Sequence, residues 1–155
     1  MTIDAFQGVT ILLADDDEED RSMTISALRE RRVANEIRCV ADGEELADYL
    51  FHRGNYSNPN DAPTPGLILL DLNMPRKDGR EALAEIKADA ALRVIPVIVL
   101  TTSKAEEDIL RSYDLHANAY VTKPVDFNRF IEVVRQIDEF FVTVVKLPTH
   151  RPAPG

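Results

Sequence analysis

The stretch Leu67-Ile-Leu-Leu-Asp71-Leu-Asn73-Met-Pro75, continued by Arg76-Lys-Asp-Gly79, constrains this chain more than any other. A short apolar run stops at one carboxylate, and a turn follows. A run this short and this uniformly apolar suits a strand covered on both faces, as in a parallel sheet packed between helices. A carboxylate at the C-terminal end of such a strand lies where open α/β sheets bind their ligands.

The rest of the sequence repeats the alternation of short apolar runs with segments of helical period. Gly8 to Ala14 reads as a first strand, and the acidic cluster Asp15 to Asp20 leads into a helix reaching about Arg32, with Ile25 and Leu28 on one face. Asn35 to Val40 is a second strand. Asp42 can cap a helix whose Leu46, Tyr49 and Leu50 follow the i, i+3, i+4 stripe. Residues 54–65, with three prolines and no Leu, Ile or Val, read as a long surface loop before the central strand, Leu67 to Leu70. A helix from Gly79 to Asp89, a strand from Pro96 to Thr101, a helix from Ala105 to Tyr113, a strand from Ala117 to Val121 and a last helix from Asp126 complete the pattern.

Five βα units without a repeat or internal linker predict an α/β fold, a doubly wound parallel sheet with right-handed crossovers. Five strands suit the flavodoxin-like (βα)5 arrangement, order 2-1-3-4-5, better than a six-stranded dinucleotide fold. The 155 residues divide into one domain, 1–141, and a C-terminal extension, 142–155, with no effector domain expected.

A formal net charge of −9 argues against surfaces for DNA or anionic lipid, both of which need clustered Lys and Arg. No apolar stretch approaches the roughly 20 residues that span a bilayer, and no basic leader precedes an apolar run, so a cytoplasmic location is expected. Cys39, the lone cysteine, lies in a predicted strand and reads as core packing. His52, His116 and His150 lack metal-ligand spacing and read as surface residues.

The predicted order gathers the strand ends around one crevice. Strand one ends in Asp15 and Asp16, strand three in Asp71, strand four in Thr101 and Thr102, and strand five in Lys123. Clustered carboxylates repel one another unless a cation joins them, and oxygen ligands without His or Cys favour Mg²⁺. The Asn73 backbone carbonyl could add another oxygen. The Lys123 ammonium and the Thr101 hydroxyl suit an anion added at Asp71, because phosphoryl transfer rests on positioning and charge neutralisation. An aspartate can itself be the nucleophile, giving an aspartyl-phosphate. The plain alternatives are acid at a helix N-terminus for Asp15 to Asp20, a strand-end hydroxyl for Thr101 and a surface amine for Lys123.

Ile11-Leu-Leu-Ala-Asp-Asp16, Leu69-Leu-Asp-Leu-Asn-Met-Pro75, Val97-Ile-Val-Leu-Thr101 and Tyr120-Val-Thr-Lys-Pro124 together resemble the four signatures of two-component response-regulator receiver domains. The resemblance covers roughly residues 8 to 141. It implies that Asp71 is the phospho-acceptor and that Asp15 and Asp16 hold Mg²⁺ with Asp71 and the Asn73 carbonyl, leaving Asp17 solvated. It implies that Thr101 and Lys123 read the phosphate, that Tyr120 is a rotating aromatic rather than plain core, and that the bond before Pro124 is cis. Asn73 and Ser103, two residues beyond Asp71 and Thr101, would tune dephosphorylation. Such a receiver phosphorylates itself and loses the group slowly without being a dedicated enzyme.

The loop at 54–65 and the tail Phe140 to Pro148 resemble those of single-domain receivers paired with phytochrome histidine kinases, implying such a kinase as partner and a homodimer. The tail stays apolar past the end of the helix. It is expected, with or without the last helix, to pack on a second copy, the alternative being its own domain. Two other functions stand beside the receiver: a flavodoxin-like phosphotransferase or hydrolase that turns over an aspartyl-phosphate, and an inert pseudo-receiver adaptor.

Overall fold

The computed structural model describes residues 9–30, 35–74, 76–113, 115–123, 125 and 127–140. Five parallel strands, β1 (Ile11–Ala14), β2 (Ile37–Val40), β3 (Leu67–Asp71), β4 (Val97–Thr101) and β5 (Ala119–Thr122), form one sheet in the order β2-β1-β3-β4-β5. Five helices alternate with them: α1 (Glu18–Glu30), α2 (Gly43–Phe51), α3 (Gly79–Ala88), α4 (Lys104–Arg111) and α5 (Phe127–Phe140). The expected fold class and strand order are both present.

The uniform apolarity of the strands has its cause in the layers. Leu12, Ile68, Leu70, Val97 and Val99 pack with Leu46, Leu83, Ile86 and Leu110 of α2, α3 and α4. The alternate strand residues, Leu13, Leu67, Leu69 and Ile98, pack with Leu28 of α1 and Phe130 and Val134 of α5 on the other face. In β1, β3 and β4 a period of two along the strand thus feeds two cores, so no position is left for a polar residue until the strand ends. Each large side chain so buried is worth roughly 1.5–3 kcal/mol relative to its exposed state.

Capping residues set the helix starts, as sequence logic requires. Asp42 accepts the Glu45 N–H at 2.7 Å, Asp78 accepts the Arg80 N–H at 2.7 Å, and Ser103 Oγ accepts the Glu106 N–H at 3.1 Å. Asp17 is exposed as expected, yet it also accepts the Glu19 and Asp20 N–H groups at the start of α1.

Three expectations need correction. Cys39 is exposed rather than core, because β2 is an edge strand with a neighbour on one side only. Burial of part of its surroundings still pushes the thiol pKa up. Residues 54–65 are more than a surface loop: they form two 3-10 turns, Gly54–Tyr56 and Pro59–Asp61, and Ala62 is wholly buried. Tyr49 donates to the Pro63 carbonyl at 2.8 Å and Arg38 to the Asp61 carbonyl at 2.6 Å, tying the segment down. His52 is half-buried, closes α2 with a left-handed φ of 55°, and places its Nε2 2.9 Å from the Ala62 carbonyl. His116 is exposed as expected. Pro124, His150 and the tail from residue 141 lie outside the described residues.

Candidate functional site

The register of the sheet brings the predicted strand ends together. Ala14 pairs with Leu70 and Asp71 with Leu100, so the residues following β1 and ending β3 and β4 share one edge. There, carboxylate oxygens of Asp15, Asp16 and Asp71 lie within 4.8 Å of one another. Asp15 and Asp71 are buried and Asp16 is exposed. Local turns hold the first two: Asp15 Oδ1 accepts the Asp17 N–H at 3.0 Å, and Asp71 Oδ1 accepts the Asn73 N–H at 2.9 Å. Both leave a second oxygen directed at a common point.

Lys123 supplies that point. Its Nζ lies 3.1 Å from Asp15 Oδ2, 3.2 Å from Asp71 Oδ2 and 2.8 Å from Asp20 Oδ2. The Lys123 N–H donates to the Thr101 carbonyl at 2.7 Å, which fixes the end of β5 to the end of β4. Burial works against the ammonium, yet its partners Asp20, Asp71 and Asp15 outweigh that and raise its pKa, so it stays charged. Asp71 is pushed up: burial dominates, and the Asn73 N–H and Lys123 offset it only in part.

Thr101 is wholly buried beside the site, its hydroxyl turned toward the Val121 carbonyl at a long 3.5 Å. Tyr120 is buried, with the Arg111 guanidinium 4.9 Å from its ring centroid. Ser103 is engaged as the α4 cap. Asn73 is exposed, and its side-chain amide donates to Glu106 Oε2 at 3.0 Å. Sequence reasoning missed Asp20 and Glu106. Asp20 was legible only as one more acid in the cluster, whereas its place in the first turn of α1 is what brings it to Lys123.

The site fits a divalent cation. Its carboxylates outnumber the one ammonium among them, the donors are hard oxygens, and two of the three clustered groups are buried at a strand end. Anionic oxygens that close need a positive charge beyond Lys123. Asp15, Asp16 and Asp71 are the groups that would hold it.

The model of the response regulator receiver domain family matches residues 11–135. This chain belongs to that family. Receivers are phosphorelay switches rather than dedicated enzymes, which sets aside the phosphotransferase or hydrolase reading. The acidic cluster that a pseudo-receiver lacks in part is present here as Asp15, Asp16 and Asp71. Response regulator Rcp1 from Synechocystis sp. is 42% identical over 138 residues, spanning 89% of this chain and 92% of the relative. The structure of the bacteriophytochrome response regulator AtBRR is 41% identical with a TM-score of 0.77, covering 84% of this chain and 92% of that one. The phosphorylated cyanobacterial phytochrome response regulator RcpA is 45% identical with a TM-score of 0.68, covering 91% and 99%. The receiver is thus related to phytochrome-linked regulators. No helix among the described residues is long and apolar enough to cross a membrane.

Proposed function

We propose that this receiver accepts a phosphoryl group on Asp71 from a histidine kinase of the phytochrome type and passes the signal on by protein contact. The observation that carries the reading is the convergence of Asp15 and Asp71 on the Lys123 ammonium, with Asp16 beside them, at the C-terminal edge of the sheet. In the transfer, an Asp71 carboxylate oxygen attacks phosphorus. The P–N bond of the phosphohistidine breaks, its electron pair stays with the imidazole, and an acyl phosphate forms on Asp71. Mg²⁺, held by Asp15, Asp16, Asp71 and the Asn73 carbonyl, would supply charge neutralisation.

Lys123 is placed to exchange its contact with Asp71 for a phosphoryl oxygen. Thr101 holds its hydroxyl on a weak bond to Val121, which it can give up for a second phosphoryl oxygen. That movement would draw the loop after β4 inward and shift Tyr120, whose ring lies against Arg111. Asn73 and Ser103 would tune how long the group survives. Kinship with regulators whose names tie them to phytochromes supports the kinase class, and the apolar tail supports a homodimer; a truncation at Phe141 that stays dimeric in sedimentation would remove the tail from that role.

The test is incubation with acetyl phosphate and Mg²⁺, followed by mass spectrometry. One acid-stable, base-labile phosphate on Asp71, absent from Asp71→Asn and without Mg²⁺, is expected. Rapid turnover without accumulation, or no adduct, would sink the proposal.

A further inference from the structure

Glu106, in the first turn of α4, connects two loops that do not otherwise follow one another in the chain. Its Oε1 accepts the Thr102 N–H at 2.7 Å and the Thr102 hydroxyl at 3.1 Å, while its Oε2 accepts the Asn73 side-chain amide at 3.0 Å. Its own N–H is bound by Ser103 Oγ, so the backbone that carries the carboxylate is fixed as well. Thr102 follows directly on Thr101, and the Asn73 N–H binds Asp71. One ionised carboxylate therefore ties the loop after β3 to the loop after β4, two residues beyond the acceptor on one side and one beyond the switch hydroxyl on the other.

We propose that Glu106 is a clip that holds both loops in the resting arrangement and sets the rate at which Asp71 is phosphorylated. The inference rests on the reading of Asp71 as acceptor and Thr101 as switch, and it adds a positioning residue to them. Thr101 shares a peptide with Thr102, and the N–H of that peptide is the one Glu106 holds, so any inward movement of the loop that accompanies Thr101 turning toward a phosphoryl group works against this bond. For Asn73 to turn its amide toward the phosphoryl group or an attacking water, it must leave Glu106. Both movements break charge-assisted hydrogen bonds to the same carboxylate, so they occur together. The Glu106 charge also adds to the repulsion met by an anionic donor at an already acidic edge.

Glu106→Gln keeps the size of the side chain and the Ser103 cap while removing the charge. Phosphorylation of the whole chain by acetyl phosphate with Mg²⁺ is followed for the unsubstituted protein, Glu106→Gln, Asn73→Ala and the double variant. Each single variant is expected to react faster, by roughly fivefold, the scale of weakening one charge-assisted hydrogen bond in the resting state. The double variant is expected to react no faster than the faster single one, because one clip opens once. A purely structural Glu106 would lower the thermal midpoint without raising the rate. Unchanged or slower reaction in Glu106→Gln, or rate gains that multiply in the double variant, would overturn the clip while leaving Asp71 as acceptor. No adduct on the unsubstituted protein would instead remove the acceptor reading, and the clip with it.

Discussion

Asp71 sits in a conflict that its neighbours resolve only in part. It is buried and faces Asp15, and its pKa is raised because burial outweighs Lys123 and the Asn73 N–H. For a carboxyl raised in the folded state, the stabilising contribution is present below the ordinary value of 3.8 and is lost as pH rises through the group's own higher value. Above that higher value, without metal, an ionised Asp71 therefore costs stability. Asp71→Asn keeps an acceptor for the Asn73 N–H and removes that charge, while Lys123 retains Asp15 and Asp20. The variant is expected to melt at higher temperature than the unsubstituted protein at pH 7 in chelator. That gain should disappear as the buffer is taken below the ordinary carboxylate range. A variant less stable at pH 7 would show that the Lys123 pair outweighs the burial.

Among the elements, the turn from β3 into α3 matters most, because it carries Asn73. It is folded tightly against its own return: the Gly79 N–H donates to the Leu72 carbonyl at 3.0 Å. A Cβ at Gly79 would stand 2.5 Å from Leu72 Cα and 3.0 Å from the Asp71 carbonyl oxygen. No side chain fits there without moving the backbone that ends β3. Gly79→Ala is expected to lose about 1–3 kcal/mol in urea denaturation, the range for overpacking a closed site. It should also slow phosphorylation, since the atoms displaced are those of the acceptor loop. A variant of unchanged stability and rate would mean that the turn relaxes freely. The α4 start is built with the same economy, Ser103 serving as cap and Glu106 as the tie to Asn73.

Over the whole molecule, the sheet edge couples metal binding to folding. A cation that joins carboxylates from the ends of β1 and β3 binds the folded chain and has no preformed site in the unfolded one. Mg²⁺ should therefore raise stability as its concentration increases, by about 2.7 kcal/mol at one hundred times its dissociation constant. Asp16→Asn, at the exposed member of the cluster, should abolish most of that gain while leaving the metal-free midpoint nearly unchanged. Equal stabilisation of the variant by Mg²⁺ would place the metal elsewhere.

Sequence alone determined the alternation of strands and helices, the parallel sheet and its order, because uninterrupted apolar runs leave a strand no solvent face. It also determined Asp15, Asp71 and Thr101 as strand-end groups, since an apolar run makes its first polar residue conspicuous, and it put Lys123 just past the fifth run, after Thr122. What sequence could not decide depends on who stands beside whom. Cys39 reads as core until β2 is seen at the edge of the sheet. Residues 54–65 read as solvent loop until Tyr49, His52 and Arg38 are seen holding them. Asp20 and Glu106 are acids among many, and only the packing of α1 and α4 against the strand ends aims one at Lys123 and the other at Asn73 and Thr102. Burial pattern is written along the chain at short range. The pairing of polar side chains 33 or 103 residues apart is a product of the closed fold.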